Sequence, residues 1–261
     1  MSPSCIFWIC CSLGLLLDPP KAFLAQGTDF NDEFSDELLI LSKVSENLTV
    51  DQVAIRNFHC QEKIVVAQSS PKEGVSSSRE VLNTYSVRLK RDQTLPTQMN
   101  FIETRTLSDS KTDSDPPLDF PVIDKPFTGA ISRMFDLENR FSNDFHRDRE
   151  EKLEGQPCLV VRFETVPELT SQQLTILGKA VSLRQRGSLW ISLDDNRILR
   201  ISARQTKLPK GCRRYEYQID YAPQNLFGRQ LYLPVHASLQ VETKDTNYSI
   251  GQTYSQFEAR P

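Results

Sequence analysis

Residues 187–242 read GSLWISLDDNRILRISARQTKLPKGCRRYEYQIDYAPQNLFGRQLYLPVHASLQVE, and apolar and polar side chains alternate through most of the stretch. Tyr215, Tyr217, Ile219 and Tyr221 take one face against Arg214, Glu216, Gln218 and Asp220. Leu231, Leu233, Val235, Ala237, Leu239 and Val241 do the same against Tyr232, Pro234, His236, Ser238, Gln240 and Glu242. A period of two is strand geometry, because successive side chains of an extended chain point to opposite sides. Segments 187–194 and 197–205 flank Asp194-Asp195-Asn196, whose residue types suit a tight turn, so they read as a hairpin. Strands with one apolar and one wet face belong to an antiparallel sheet.

Working outward, the same alternation recurs. Cys158 to Thr165 alternates Leu159, Val161 and Phe163 with Val160, Arg162 and Glu164. Phe58, Cys60, Glu62, Ile64 and Val66 share one strand face, and Val81, Asn83, Tyr85, Val87 and Leu89 another, with a polar turn over 69–78. Residues 98–107 form a further strand, and 247–258 are expected to close the sheet. Two segments break the period. Phe34, Leu38, Leu41, Val44 and Leu48 recur at helical spacing and predict a helix over 34–48. Asp124, Pro126, Phe127, Ile131, Met134 and Phe135 predict a second over 126–137. The expected fold is therefore α+β, mainly β: a strongly curved antiparallel half-barrel of about nine or ten strands, with two amphipathic helices on its concave side. Between the halves, residues 108–125 are rich in Asp, Ser and Pro and have no period, so they form a loop within a single domain over 26–261.

The first residues are an address. The apolar run from Cys5 to Leu17 ends at Asp18-Pro19-Pro20 and is too short for the roughly 20 residues that span a bilayer. It fits the core of a signal peptide over 1–25, with Ala22-Phe23-Leu24-Ala25 near the cut; an uncleaved anchor and a buried strand are the alternatives. The chain is expected to be exported, to the periplasm or the outer membrane. Loss of 1–25 removes Cys5, Cys10 and Cys11 and leaves Cys60, Cys158 and Cys212. Three thiols in an oxidising compartment allow one disulfide, and Cys158–Cys212 is the candidate pair.

Composition excludes several classes. The 261 residues carry a net charge of −3, which persists after loss of the leader and offers no basic stripe for nucleic acid. Peripheral association with a membrane stays open. His59, His146 and His236 lie far apart and match no metal motif, so neither a metal nor a cofactor is expected. No nucleophile elbow or phosphate loop occurs, and no catalytic residue is assigned. The run from Arg147 to Lys152 alternates in sign and reads as a solvated strand end. What remains is apolar. Leu189, Ile191, Leu193, Leu199, Ile201, Tyr215, Tyr217, Ile219, Leu231, Leu233 and Val235 can line one concave surface. They form either a groove for a hydrophobic ligand or simply the core, because an amphipathic strand looks the same over a ligand as over a helix.

Trp190-Ile191, Asp194 and Leu199-Arg200-Ile201, followed by Asp220-Tyr221 and by Gly228 with Leu233-Pro234-Val235, resemble a pattern in exported bacterial proteins. These are the outer-membrane lipoprotein carriers and uncharacterised secreted proteins of acidobacterial type, and the likeness spans about 127–258. The resemblance implies a half-barrel that shelters acyl chains. It carries no catalytic residue, and the longer first half of this chain and its 108–125 loop depart from the carrier pattern. The expected function is a non-enzymatic exported protein binding a lipid, an acyl chain or a lipidated envelope partner. A structural or interaction protein with a filled core is the alternative, and a secreted hydrolase with convergent carboxylates the third.

Overall fold

The computed structural model describes residues 30–70, 76–91, 99–107, 120–123, 125–129, 132–135, 141–170 and 172–260. The expected leader and most of the 108–125 loop lie outside them. Ten strands form one antiparallel sheet that curves without closing. At one edge β1 (Phe58–Ser69), β2 (Ser76–Arg91) and β3 (Met99–Leu107) make a meander; at the other, β4 (Asn143–Leu153) and β5 (Gln156–Thr165) make a hairpin. A short separate hairpin joins β6 (Gln173–Ile176) to β7 (Lys179–Ser182). The middle is β8 (Gln185–Ser192), β9 (Ile198–Gln205), β10 (Cys212–Leu226), β11 (Arg229–Thr243) and β12 (Asn247–Ala259), giving the order β3-β2-β1-β12-β11-β10-β9-β8-β5-β4. The last strand thus does not close the sheet as expected. It sits mid-sheet, paired with β11 on one side and β1 on the other.

Register explains why the alternating segments assemble this way. Ala237, Ile219, Ile201, Leu189 and Val161 stand directly opposite one another across five consecutive strands, and all five are fully buried. A slip by one residue on any of these strands would turn its apolar set out to water. At Gly187 the neighbouring strand leaves no room for a side chain. The glycine stands between Phe163 and Ala203, and a Cβ there would lie 2.1 Å from the Ser202 carbonyl oxygen.

Helix α1 (Phe30–Ala54) is longer at both ends than the helix read over 34–48. The second expected helix, over 126–137, is corrected in its first part, which is a turn at 126–129; among the described residues of that span, α2 (Ser132–Phe135) is helical. The reason is tertiary. The backbone N–H groups of Phe127 and Thr128 donate to the Glu103 carboxylate on β3, at 3.3 and 2.9 Å. The Phe127 ring sits among Phe58, Tyr85, Tyr254 and Phe257, with centroids 5.0–6.2 Å away. β3 and β4 are opposite edges, and the described pieces between them, 120–123, 125–129 and 132–135, form a traversing segment over the apolar face: Ile123 touches Arg105 and Gln252, and Phe135 stacks on Phe145 of β4 at 5.6 Å.

Candidate functional site

Eight of the eleven side chains expected to line the concave surface join one buried core: Leu189, Ile191, Ile201, Tyr215, Tyr217, Ile219, Leu231 and Leu233. The other three are placed differently. Leu193 lies in the turn after β8 and is 41% exposed. Leu199 is the extra residue where Trp190 pairs with Arg200 but Ile191 with Ile198, so it is buried outside the main core. Val235 is likewise skipped between Pro234 and His236 and is half-buried. A bulge re-aims side chains, which a strict period of two cannot anticipate.

Two pieces of chain lie over this face, α1 and the traversing segment. Helix α1 inserts Val44 and meets the ends of β9, β10 and β11, where Val44, Leu48, Ile198, Tyr221 and Tyr232 surround a recess of about 20 Å³. Ile40, Leu41 and Leu48 pack against the same core, and a set of polar contacts adds to this apolar anchorage. Asn47 Nδ2 donates to the carbonyls of Asp195 and Asn196, at 2.9 and 3.2 Å. Arg197 donates to the Asp51 carboxylate and, at 3.3 Å, to the Asn47 carbonyl. The Tyr232 hydroxyl donates to Asp195 at 3.0 Å. The Asp194-Asp195-Asn196 turn is therefore a turn, as read, and also the seat of the helix. Burial raises the Asp51 carboxyl above its ordinary range, with Arg197 partly opposing the rise. Leu39, Val50 and Val53 remain exposed on the helix.

Beside the aromatic cluster under the traversing segment lies a buried polar network. Glu62 is fully buried and accepts from Arg105 Nε at 2.9 and 3.1 Å, from Asn83 Nδ2 at 3.0 Å and from Gln252 Nε2 at 3.1 Å. Arg105 and Gln252 then clamp Ile123, one donating to its carbonyl and the other accepting from its N–H, both at 2.9 Å. Glu103 accepts from Tyr85 at 2.7 Å and from the Thr128 hydroxyl. Burial pushes both the Glu103 carboxyl and the Tyr85 hydroxyl up. Sequence reading did not single out this network, yet it left a trace: Glu62 and Asn83 interrupt otherwise apolar strand faces. A polar residue in such a position signals a buried partner.

The expected Cys158–Cys212 disulfide is corrected. Both thiols are free, and β8 and β9 separate their strands, which puts roughly 14 Å of sheet between them at one ladder spacing per strand. Cys60 is also free and buried, and burial, with Glu62 and Glu103 adding to it, pushes its thiol up. Among the described residues no three or more His, Cys, Asp or Glu side chains converge as metal ligands would. Glu62 and Glu103 are committed to donors, while Asp144 and Glu164 face each other across β4 and β5 but are exposed. The opposite, polar face of β4, β5, β8, β9 and β10 holds an open trough of about 900 Å³.

No protein-family model matches the chain, and no curated protein does. Solved structures do. A LolA superfamily protein from Nitrosomonas europaea is similar at a TM-score of 0.40 and 13% identity, over 86% of this chain and 93% of that one. A DUF1329 family protein from Desulfovibrio piger is similar at 0.41 and 10%, over 84% and 92%. The lipoprotein LppX from Mycobacterium tuberculosis is similar at 0.32 and 11%, over 86% and 98%.

Proposed function

We propose that the protein is an exported, envelope-associated binding protein without catalytic activity, and that its inner face takes an apolar chain, from a lipid or a lipidated partner, when α1 lifts. One observation carries this reading: the apolar face is covered by a helix that inserts one fully buried side chain, Val44, and whose polar contacts are concentrated at the Asp194–Asn196 turn and the adjoining Arg197. Water can replace the hydrogen bonds of this seat, and an entering apolar chain would take over the contacts that Val44 and its neighbours give up. Lifting it would uncover Ile198, Tyr221 and the neighbouring core. The signal-like run from Cys5 to Leu17 and the motif resemblance around Trp190 and Leu233 support the same assignment.

The second reading, an interaction protein with a permanently filled core, is favoured by one specific fact. The eight core residues are at most 8% exposed, and the recess under α1 is smaller than a ligand. Native mass spectrometry of the purified protein, with binding of a hydrophobic dye, separates the two. The carrier reading expects co-purified lipid or dye uptake that disappears when Asn47→Cys and Asp195→Cys are joined by a short cleavable cross-linker in a Cys212→Ser background. Cleavage should restore it. Uptake unaffected by the tether overturns a site under α1, and absence of lipid and dye in every form leaves the filled-core reading.

A further inference from the structure

The trough on the polar face is not used by the reading above and does not depend on it. Directly opposite residues across its strands run Asp144, Glu164, Arg186, Arg204 and Glu216 from β4 to β10. The charges do not alternate. Arg186 stands against Arg204 as a like pair, and like charges directly opposite oppose sheet formation. Neither arginine makes an ion pair with a described residue, although Glu164 and Glu216 are their other cross-strand neighbours. One row along, Ser188 and Ser202 stand opposite each other and place two small hydroxyl side chains beside the paired guanidiniums. Arg162, opposite Ser188, completes a triangle around them, with one contact to Asp148 at 3.3 Å. Arg184 also lines the trough, and its Nε is buried without a hydrogen-bond partner.

We propose that this trough binds a phosphate group between the Arg186 and Arg204 guanidiniums, above the Ser188 and Ser202 hydroxyls. A single guanidinium fork suffices for a carboxylate, whereas several donors converging from different strands suit a polyvalent tetrahedral oxyanion. The anion resolves the like-charge pair and accepts from donors that no described residue engages. The flanking carboxylates of Glu164 and Glu216 confine it to the middle strands. Either a soluble phosphate ester or a phospholipid headgroup presents this chemistry.

The experiment titrates the full protein with inorganic phosphate, with glycerol 3-phosphate, and with phosphatidylcholine vesicles with and without phosphatidylglycerol. Binding of at least one phosphate probe is expected, weakened at least about tenfold in Arg186→Gln/Arg204→Gln and in each single variant. It should also weaken with salt, as a charge-led contact must. Both arginines are exposed and form a like-charge pair, so the variants should keep wild-type circular dichroism and melt no lower than wild type. A charge-matched control, Lys179→Gln/Lys244→Gln, should bind as wild type. Response to the soluble probes assigns a soluble ester. Response only to phosphatidylglycerol vesicles assigns a headgroup. No response to any probe, or equal weakening by the lysine control, overturns the site.

Discussion

Arg105 donates its Nε to both carboxylate oxygens of Glu62, at 2.9 and 3.1 Å, and the acceptor is fully buried. The pair joins β1 to β3 across β2, and through Ile123 it pins the segment that traverses the sheet. Arg105→Met strands a buried carboxylate and should cost about 3–5 kcal/mol in urea unfolding. Adding Glu62→Gln should recover part of the loss. A double-mutant cycle measures the coupling directly.

Glu103 provides the pH dependence. Its carboxyl is raised by burial above the ordinary glutamate value of 4.5, so the folded state holds the proton more tightly than the unfolded one. That contribution is fully present below pH 4.5 and is lost as pH rises through the higher folded-state value. Glu103→Gln keeps an acceptor for the Phe127 and Thr128 N–H groups and should flatten this decline. The readout is the difference in melting temperature between variant and wild type across the acidic range. A difference that stays constant with pH would contradict the assignment.

The helix seat can be loosened without touching the core. Asp51→Ala removes the partner of Arg197 and should raise hydrogen exchange over 39–54 while leaving β9 and β10 protected. The expected loss in stability is about 1–3 kcal/mol. Dye uptake should increase in the same variant.

Gly187→Ala tests the close approach of β8 and β9. The added methyl meets the Ser202 carbonyl oxygen at 2.1 Å, and backbone cannot yield as a side chain would. A loss of about 2–3 kcal/mol is expected from thermal or urea unfolding.

Thiol chemistry gives a separate check. Non-reducing peptide mapping should find no link between Cys158 and Cys212. Cys212, which is only half-buried, should react with a maleimide well before Cys60, whose thiol is enclosed and pushed up by burial.

The strands were legible because each carries its own record of burial: Tyr215, Tyr217 and Ile219 face in, as their alternation requires. Strand order was not, since β12 lies between β11 and β1 for reasons held in pairings nearly two hundred residues apart. Over 126–129 the expected helix gives way to a turn for a related reason. Its apolar spacing is compatible with a helix, but Glu103 captures the N–H groups of Phe127 and Thr128, and an aromatic cluster takes the ring. Of the apolar surface, eight side chains were readable and three were not. The bulges at Leu199 and Val235 and the turn at Leu193 interrupt the period locally. The helix seat escaped notice because Asn47 and Asp195 are both ordinary surface residue types, brought together only by the fold.

A sheet that curves without closing leaves β4 with one side of its backbone unpaired by any other strand of that sheet. Along it Arg147, Asp148, Arg149, Glu150 and Glu151 engage one another or Arg162 and Trp190. A second molecule adding its own strand there would have to strip water from this charged row and break its local pairs. The charge therefore works against polymerisation through β4, and it does so in the folded protein, at the margin where a half-barrel would otherwise template its own fibre.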